Sequence, residues 1–329
     1  MKRIYTLVLL LIISLPALAQ DPEFTQFYAN PLYLNPAFAG TAKGPRVAMN
    51  YRNQWSSISS GFVTYAASYD QHFDRLGGGI GLQAWYDKAG DGELSNTVFS
   101  GMYSYHLNVT REFAIKAGLQ ASMYTRSIDF NKLKWGDQID ARRGFVFQTQ
   151  EPIPGDGNGV YTDQPFVDFS AGMLGFTENF FVGFAVNHIT EPNQSFYANP
   201  ESVLPRKYTG HAGFLIPIEE GRNPEDFISP NILFQRQGNF TQVNFGAYVI
   251  KGPFVAGAWF RQTGYNSDAF MALIGLKKDI LKVGYSYDLT VSDARSAARG
   301  SHEISLILEF EYNQSSTRGK WKGLNCPTF

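Results

Sequence analysis

Two alternating segments near the end of the chain most restrict what it can become. In the first, Leu281, Val283, Tyr285, Tyr287 and Leu289 alternate with Lys282, Gly284, Ser286 and Asp288. In the second, Ile304, Leu306, Leu308 and Phe310 alternate with Glu303, Ser305 and Glu309. Successive strand side chains point to opposite faces, so each segment has one apolar and one mostly polar face. At roughly ten residues, each is long enough to cross a bilayer at a tilt. Lipid tolerates no unpaired backbone N–H or C=O, so strands of this kind require a closed barrel. The pattern predicts an all-β fold, an antiparallel transmembrane β-barrel of the outer-membrane type.

The same alternation recurs through the chain, at 46–55, 62–70, 78–87, 95–107, 112–126, 164–176, 180–189, 206–216, 227–236, 240–250, 253–262, 268–277, 281–289 and 301–311. That makes about fourteen strands, an even number as bacterial barrels have. In 113–123, Phe113, Ile115, Ala117, Leu119, Ala121 and Met123 share one face, and Lys116, Gly118, Gln120 and Ser122 the other. Glycines on the inner face, such as Gly118, Gly246 and Gly284, are expected to leave room in a lumen and to ease curvature. Breaks after even strands are short, as at Thr110-Arg111 and Lys278-Asp279. Breaks after odd strands are longer, as at Ser127–Asp163 and Thr190–Pro205. Pro217–Asp226 and Gln237–Asn239 depart from that parity. Short turns belong on the periplasmic side and long loops outside. An even strand count then puts both chain ends in the periplasm.

Four regions follow. Residues 1–19 read as a signal peptide: Lys2 and Arg3, the apolar Ile4–Leu15, then Ala17-Leu18-Ala19 as the cleavage site. Residues 20–45 hold Pro22, Pro31, Pro36 and Pro45 among five aromatics, Phe24, Phe27, Tyr28, Tyr33 and Phe38. Proline removes ladder donors, so this is an extended or short-helical lead-in. Its aromatics need burial, against the periplasmic mouth or inside the lumen. Residues 46–311 form the barrel, and 312–329 a basic periplasmic tail. The single Cys326 cannot form an internal disulfide.

Charged residues make up 17% of the chain and aromatics 15%. Soluble domains carry roughly 25% charge, so this surface suits lipid. Net charge −1 gives no reason to expect a nucleic-acid partner. No catalytic, metal or cofactor site assembles from the residues. His302 stands between Ser301 and Glu303, but strand neighbours face opposite sides, which denies a nucleophile–base–acid relay. Asp87, Asp91 and Glu93, and Asp156 with Asn158, lack the spacing of a calcium loop and read as turn formers. Gly77–Gly81 is followed by no helix pattern or lysine, so it is not a phosphate cradle. Arg52 and Gln54, on the face opposite Tyr51 and Trp55, aim into the lumen to hold a lead-in segment, a bound chain or ordinary lumen hydrogen bonds.

Several stretches resemble the PorP/SprF family of the Bacteroidetes type IX secretion system. They are Phe24-Thr25-Gln26-Phe27-Tyr28, Leu34-Asn35-Pro36-Ala37-Phe38-Ala39-Gly40, Tyr51-Arg52-Asn53-Gln54-Trp55, Tyr285-Ser286-Tyr287-Asp288 and Ser301-His302-Glu303-Ile304. The resemblance marks Asn35, Pro36, Gly40, Arg52, Gln54, Trp55, Tyr287, Asp288, Ser301, His302 and Glu303 as motif positions with structural or partner-binding roles. It implies a non-enzymatic component in the outer membrane of a Gram-negative, Bacteroidetes-like bacterium, contacting outer-membrane lipid. It further implies support for export and surface attachment of large adhesin-like substrates carrying a C-terminal sorting domain. Other secretion-system components, periplasmic or in the outer membrane, and a place in gliding motility are implied as well. The competing function is a passive or ligand-selective channel, which would need an open lumen. The predicted inner faces carry few charges and many Gly, Ala and Ser.

Overall fold

A computed structural model of the chain describes residues 21–56, 61–90, 94–140, 142–150, 160–162, 165–196, 202–218, 226–264, 267–291 and 300–311. The signal-peptide and C-terminal-tail readings, Cys326, Asp91, Glu93, Asp156 and Asn158 lie outside the described residues. The long strands are β1 (Arg46–Gln54), β2 (Phe62–Phe73), β3 (Gly78–Ala89), β4 (Leu94–Asn108), β5 (Ala114–Asp129), β6 (Phe166–Phe176) and β7 (Phe180–Asn187). They continue as β8 (Lys207–Phe214), β9 (Phe227–Gln237), β10 (Phe240–Lys251), β11 (Phe254–Thr263), β12 (Ser267–Lys278), β13 (Leu281–Thr290) and β14 (Ser301–Glu309).

Each strand pairs antiparallel with its neighbours in sequence, and the last closes on the first. Arg46 lies opposite Glu309 and Gln54 opposite Ser301 across that seam. The result is a closed 14-strand antiparallel barrel. Closure removes the edges that lipid would leave unpaired.

The alternation read from sequence is the alternation of faces. On β5, Lys116, Gln120 and Ser122 are buried while Ala117, Leu119, Ala121 and Met123 are exposed. Exposed Leu82, Phe99, Phe169, Phe184, Phe254 and Ile274 continue the apolar outer face round the barrel. The two rims differ. One, the turn rim, carries the brief links β2–β3, β4–β5, β6–β7, β10–β11 and β12–β13. The other, the loop rim, carries the longer β5–β6, β7–β8 and β13–β14 connections. Both exceptions to the parity are present. The β8–β9 connection is long and adds Ile216–Pro217 to the start of β9. The β9–β10 link is tight, with Gly238 at φ 56. The long β5–β6 connection is partly built: Val160–Thr162 pairs with Ser127–Asp129, and Ile139–Asp140 forms a small hairpin with Gly144–Phe145.

The lead-in lies inside the barrel and is its core. Two 3-10 turns, Phe27–Ala29 and Pro36–Phe38, flank the short helix Pro31–Leu34. Pro31 and Pro36 each open a turn, where the missing N–H costs nothing. Phe27, Tyr28, Leu32, Leu34, Ala37, Phe38 and Ala39 are buried against Met102, Leu174, Phe181, Leu233, Tyr248 and Trp259 of the wall. A second cluster joins Phe24 to Trp85, Val98 and Tyr124.

This changes two expectations. The wall faces inward with many charges, not few: Arg46, Arg52, Asp70, Lys116, Asp168, Lys207, Arg261, Lys282, Asp288 and Glu303 are all buried. The barrel's strand ends, Arg46 and Glu309, share the turn rim. The lead-in begins at the opposite rim, however: Asp21 donates its backbone N–H to Gln237 Oε1 at 3.1 Å, at the loop-rim end of β9. Counting strands could not reveal a segment that returns through the middle.

The inner glycines also serve an end different from the one expected. A Cβ on Gly118 would stand 2.4 Å from Ala37 N, and one on Gly172 would stand 2.0 Å from Asn35 Oδ1. At Gly246 the space is taken by the Ala258 carbonyl oxygen, 2.3 Å away, and by Trp259. These positions let the lead-in and neighbouring rings touch the wall and do not leave it open. Gly172→Val is expected to lower the temperature at which the folded barrel loses its fast gel migration, at a cost of about 1–3 kcal/mol or more from overpacking. Gly101→Ala, where an added Cβ meets nothing within 4 Å, is expected to leave that temperature unchanged.

Candidate functional site

The polar inner wall grips the lead-in at three levels. Uppermost, at the loop rim, Asp21 meets His188. His188 Nε2 lies 2.8 Å from Asp21 Oδ2, and its Nδ1 lies 2.8 Å from Asp168 Oδ2. Thr190 Oγ1 donates to the other oxygen of Asp168 at 2.6 Å, and Lys207 Nζ is 3.8 Å from Asp21 Oδ2. The ring of Tyr124 stands 5.9 Å from that of His188. Burial opposes a charge on His188, but the Asp21 and Asp168 carboxylates outweigh it and push its pKa up to about 9. Burial likewise opposes ionisation of Asp21, yet His188 and Lys207 hold its carboxyl below the usual range.

The second level is an ionic cluster two residues in from the loop-rim ends of β1, β11, β13 and β14. Arg52 Nη2 is 2.8 Å from Asp288 Oδ2, and its Nη1 is 3.1 Å from Glu303 Oε2. Arg261 Nη1 lies 3.5 Å from the same oxygen of Asp288. The same Arg261 Nη1 is also 3.5 Å from Asp268 Oδ2, so two cations face three anions on β1, β11, β12, β13 and β14. The lead-in completes the shell. Glu303 accepts the backbone N–H of Thr25 at 2.6 Å and of Gln26 at 3.1 Å. The Thr25 hydroxyl donates to Asp288 at 2.7 Å. Gln26 Nε2 donates to Ser286 Oγ and to the carbonyl of Glu303, while Ser305 Oγ donates to Gln26 Oε1. A carboxylate on the wall therefore receives the free N–H groups that open the Phe27–Ala29 turn.

The third level lies near the turn rim. Asn35 caps the Pro36–Phe38 turn by accepting from Ala37 N at 2.9 Å. Its amide donates outward to the carbonyls of Met173 and Phe184. Gly40, at φ +63, donates its N–H to Asp70 at 2.7 Å. Arg46 holds Asp70 in a two-pronged pair at 2.8 and 3.0 Å. Lys116 donates to the carbonyls of Ala39 at 2.7 Å and Gly40 at 3.0 Å. His211 stacks on Phe38 with centroids 5.4 Å apart.

Of the motif positions, Asn35, Pro36, Gly40, Arg52, Asp288 and Glu303 converge on this plug. Ser301 is buried at the seam, opposite Gln54, which is half-buried. His302 faces outward, with Nδ1 2.8 Å from Tyr285 Oη and its ring 5.0 Å from that of Tyr287. Ser301 and Glu303 therefore share a side that His302 does not. Trp55 turns the chain at the loop rim with φ 57, its ring 5.3 Å from Phe62. Asp87 accepts from Thr64 Oγ1 at 2.6 Å across β2 and β3. Among the described residues, no three of His, Cys, Asp and Glu are grouped to hold a metal ion. Sequence reading did not single out Asp21, Asp70, Arg46, Asp168 or Lys207, and gave His188 no role. For Asp70, Arg46, Asp168 and Lys207 the available signal was charge on inward strand positions, which demands a partner; Asp21 and His188 lie outside the strands and carry no such signal.

Fold and site together define a closed barrel whose interior is filled by its own amino-terminal segment and whose outer face suits a bilayer. Residues 17–308 match the family described as "Type IX secretion system membrane protein PorP/SprF". The chain belongs to that family. Among solved structures it is similar to the Acinetobacter baumannii outer membrane protein Omp33, with 8% identity and a TM-score of 0.46 over 82% of this chain and 100% of that one. It is also similar to the CymD monoaromatic hydrocarbon channel, with 11% identity and a TM-score of 0.47 over 86% and 93%. No curated protein matches the chain.

Removing Arg52 would leave Asp288 and Glu303 buried with excess negative charge. Arg52→Met is expected to destabilise the folded barrel by about 3–5 kcal/mol, read by urea unfolding in detergent micelles. The His188 contact carries a pH signature. A group whose folded pKa is raised stabilises fully below its unfolded value, near 6.5, and loses that effect as pH rises through about 9. The thermal advantage of the native chain over His188→Gln is expected to be full at pH 6 and to shrink steadily towards pH 9.5.

Proposed function

We propose that this protein is a non-catalytic outer-membrane component that binds large adhesin-like substrates, through their C-terminal sorting domains, during export and surface attachment. The observation that carries the reading is the filled lumen. With the interior occupied by Phe24–Thr41 and tied to three ionic levels, the surfaces left for partners are the rims and loops. A passive or ligand-selective channel needs a continuous lumen, so the same packing supports the secretion reading over the channel one.

Longer connections in bacterial barrels face outward, which makes the loop rim the cell-surface side. The β5–β6 connection there offers exposed Ile139, Phe145, Val146 and Phe147 beside the solvent-facing Arg142 and Arg143. Among the described residues its two-residue hairpin pairs with no third strand, the kind of template a β-rich partner extends. Contacts with periplasmic secretion components fall to the turn rim and the tail. Replacing residues 130–159 by Asn-Gly would join Asp129 to Val160, which are register partners, as a tight two-residue hairpin. The barrel is expected to remain inserted and heat-modifiable while surface display of its cargo is lost. Undiminished display would rule the loop out as the binding surface.

A further inference from the structure

The route of the lead-in carries a consequence for the amino end. Asp21 is held at the loop rim by His188, Lys207 and Gln237. Thr25 and Gln26 sit deeper, against Arg52, Asp288 and Glu303. Asn35 lies lower, at Met173, Phe184 and His211. Ala39 and Gly40 reach Lys116 and Asp70 at the turn rim. Side chains double back on the way, as Tyr33 does to the Pro22 carbonyl and Lys207, but the net course of the backbone runs from the loop rim at Asp21 to the turn rim at Gly40. The segment therefore threads the whole barrel once before β1 starts back across it.

The geometry points to a mature amino end that is presented at the cell-surface mouth of the barrel, beside the β7–β8 loop. That loop is built onto the same node. His188 is its first residue, Thr190 bonds Asp168, and Arg126 of β5 donates to the carbonyl of Gln194 and stacks over Phe196. Asp21 is thus a structural member of the outer rim. The inference rests on the loop rim facing outward and does not depend on the identity of the cargo.

The test is a short epitope inserted between Gln20 and Asp21 of the full-length chain. Matching tags go after Gln150 in the β5–β6 connection and at Asp279 in the β12–β13 turn. Antibody should label the amino-terminal and Gln150 tags on intact cells, and the Asp279 tag only after permeabilisation. An amino-terminal tag that instead behaves like the Asp279 tag would overturn threading. Exposure of the Asp279 and not the Gln150 tag would overturn the sidedness on which the inference rests. If the amino-terminal tag prevents assembly, the D21C/Q237C pair in a C326S chain decides. A short bis-maleimide should link the two positions in the assembled barrel, and failure to link them would contradict the route.

Discussion

Charge buried inside a barrel must find a partner, and here the partner is the protein's own lead-in. Arg52 and Arg261 counter the charges of Asp288, Glu303 and the less buried Asp268, but the cluster leaves hydrogen-bonding capacity unspent. Thr25 and Gln26 take it up. Breaking such a cluster is expensive because what remains is an uncompensated charge in a poorly solvating interior. The wall and the segment are therefore mutually dependent. Polar residues on the inner strand faces require something to bind, and a proline-rich segment with five aromatics requires somewhere to be buried.

The apolar contacts make the same dependence tighter. Pro36 and Ala37 rest on Gly118 and Gly172 so closely that a methyl group has no room. Phe38 stacks on His211, and Tyr28 meets Phe181 edge-on at 5.5 Å. Lipid outside gives no hydrophobic incentive for closing the barrel, since acyl chains are as apolar as the side chains facing them. The interior supplies one. Burying Phe27, Tyr28, Leu32 and Phe38 against inward Leu174, Leu233 and Trp259 gives this barrel a core of the kind soluble proteins have.

Much of the fold was legible because a strand that faces lipid on one side cannot conceal its period. Every long strand lies where alternation places it, and the two departures from loop parity, after Pro217 and at Gln237–Asn239, are real. The site was half legible. Arg52, Asp288 and Glu303 stand out as charges on strands that should face a lumen, and Asn35, Pro36 and Gly40 as part of a motif. What alternation does not encode is depth. Nothing in the spacing of Asp21 or Thr25 says which rim it reaches, because an irregular segment has no period to count. The inner glycines misled for a related reason: absence of a side chain signals space, and the sequence does not say whether that space is water or another piece of backbone.

The central claim is that the lumen is occupied by the lead-in, and electrical conductance measures it most directly. Purified native protein in a planar bilayer is expected to give no steady single-channel steps. Large, stable steps of a size fitting an open 14-strand barrel would contradict the account.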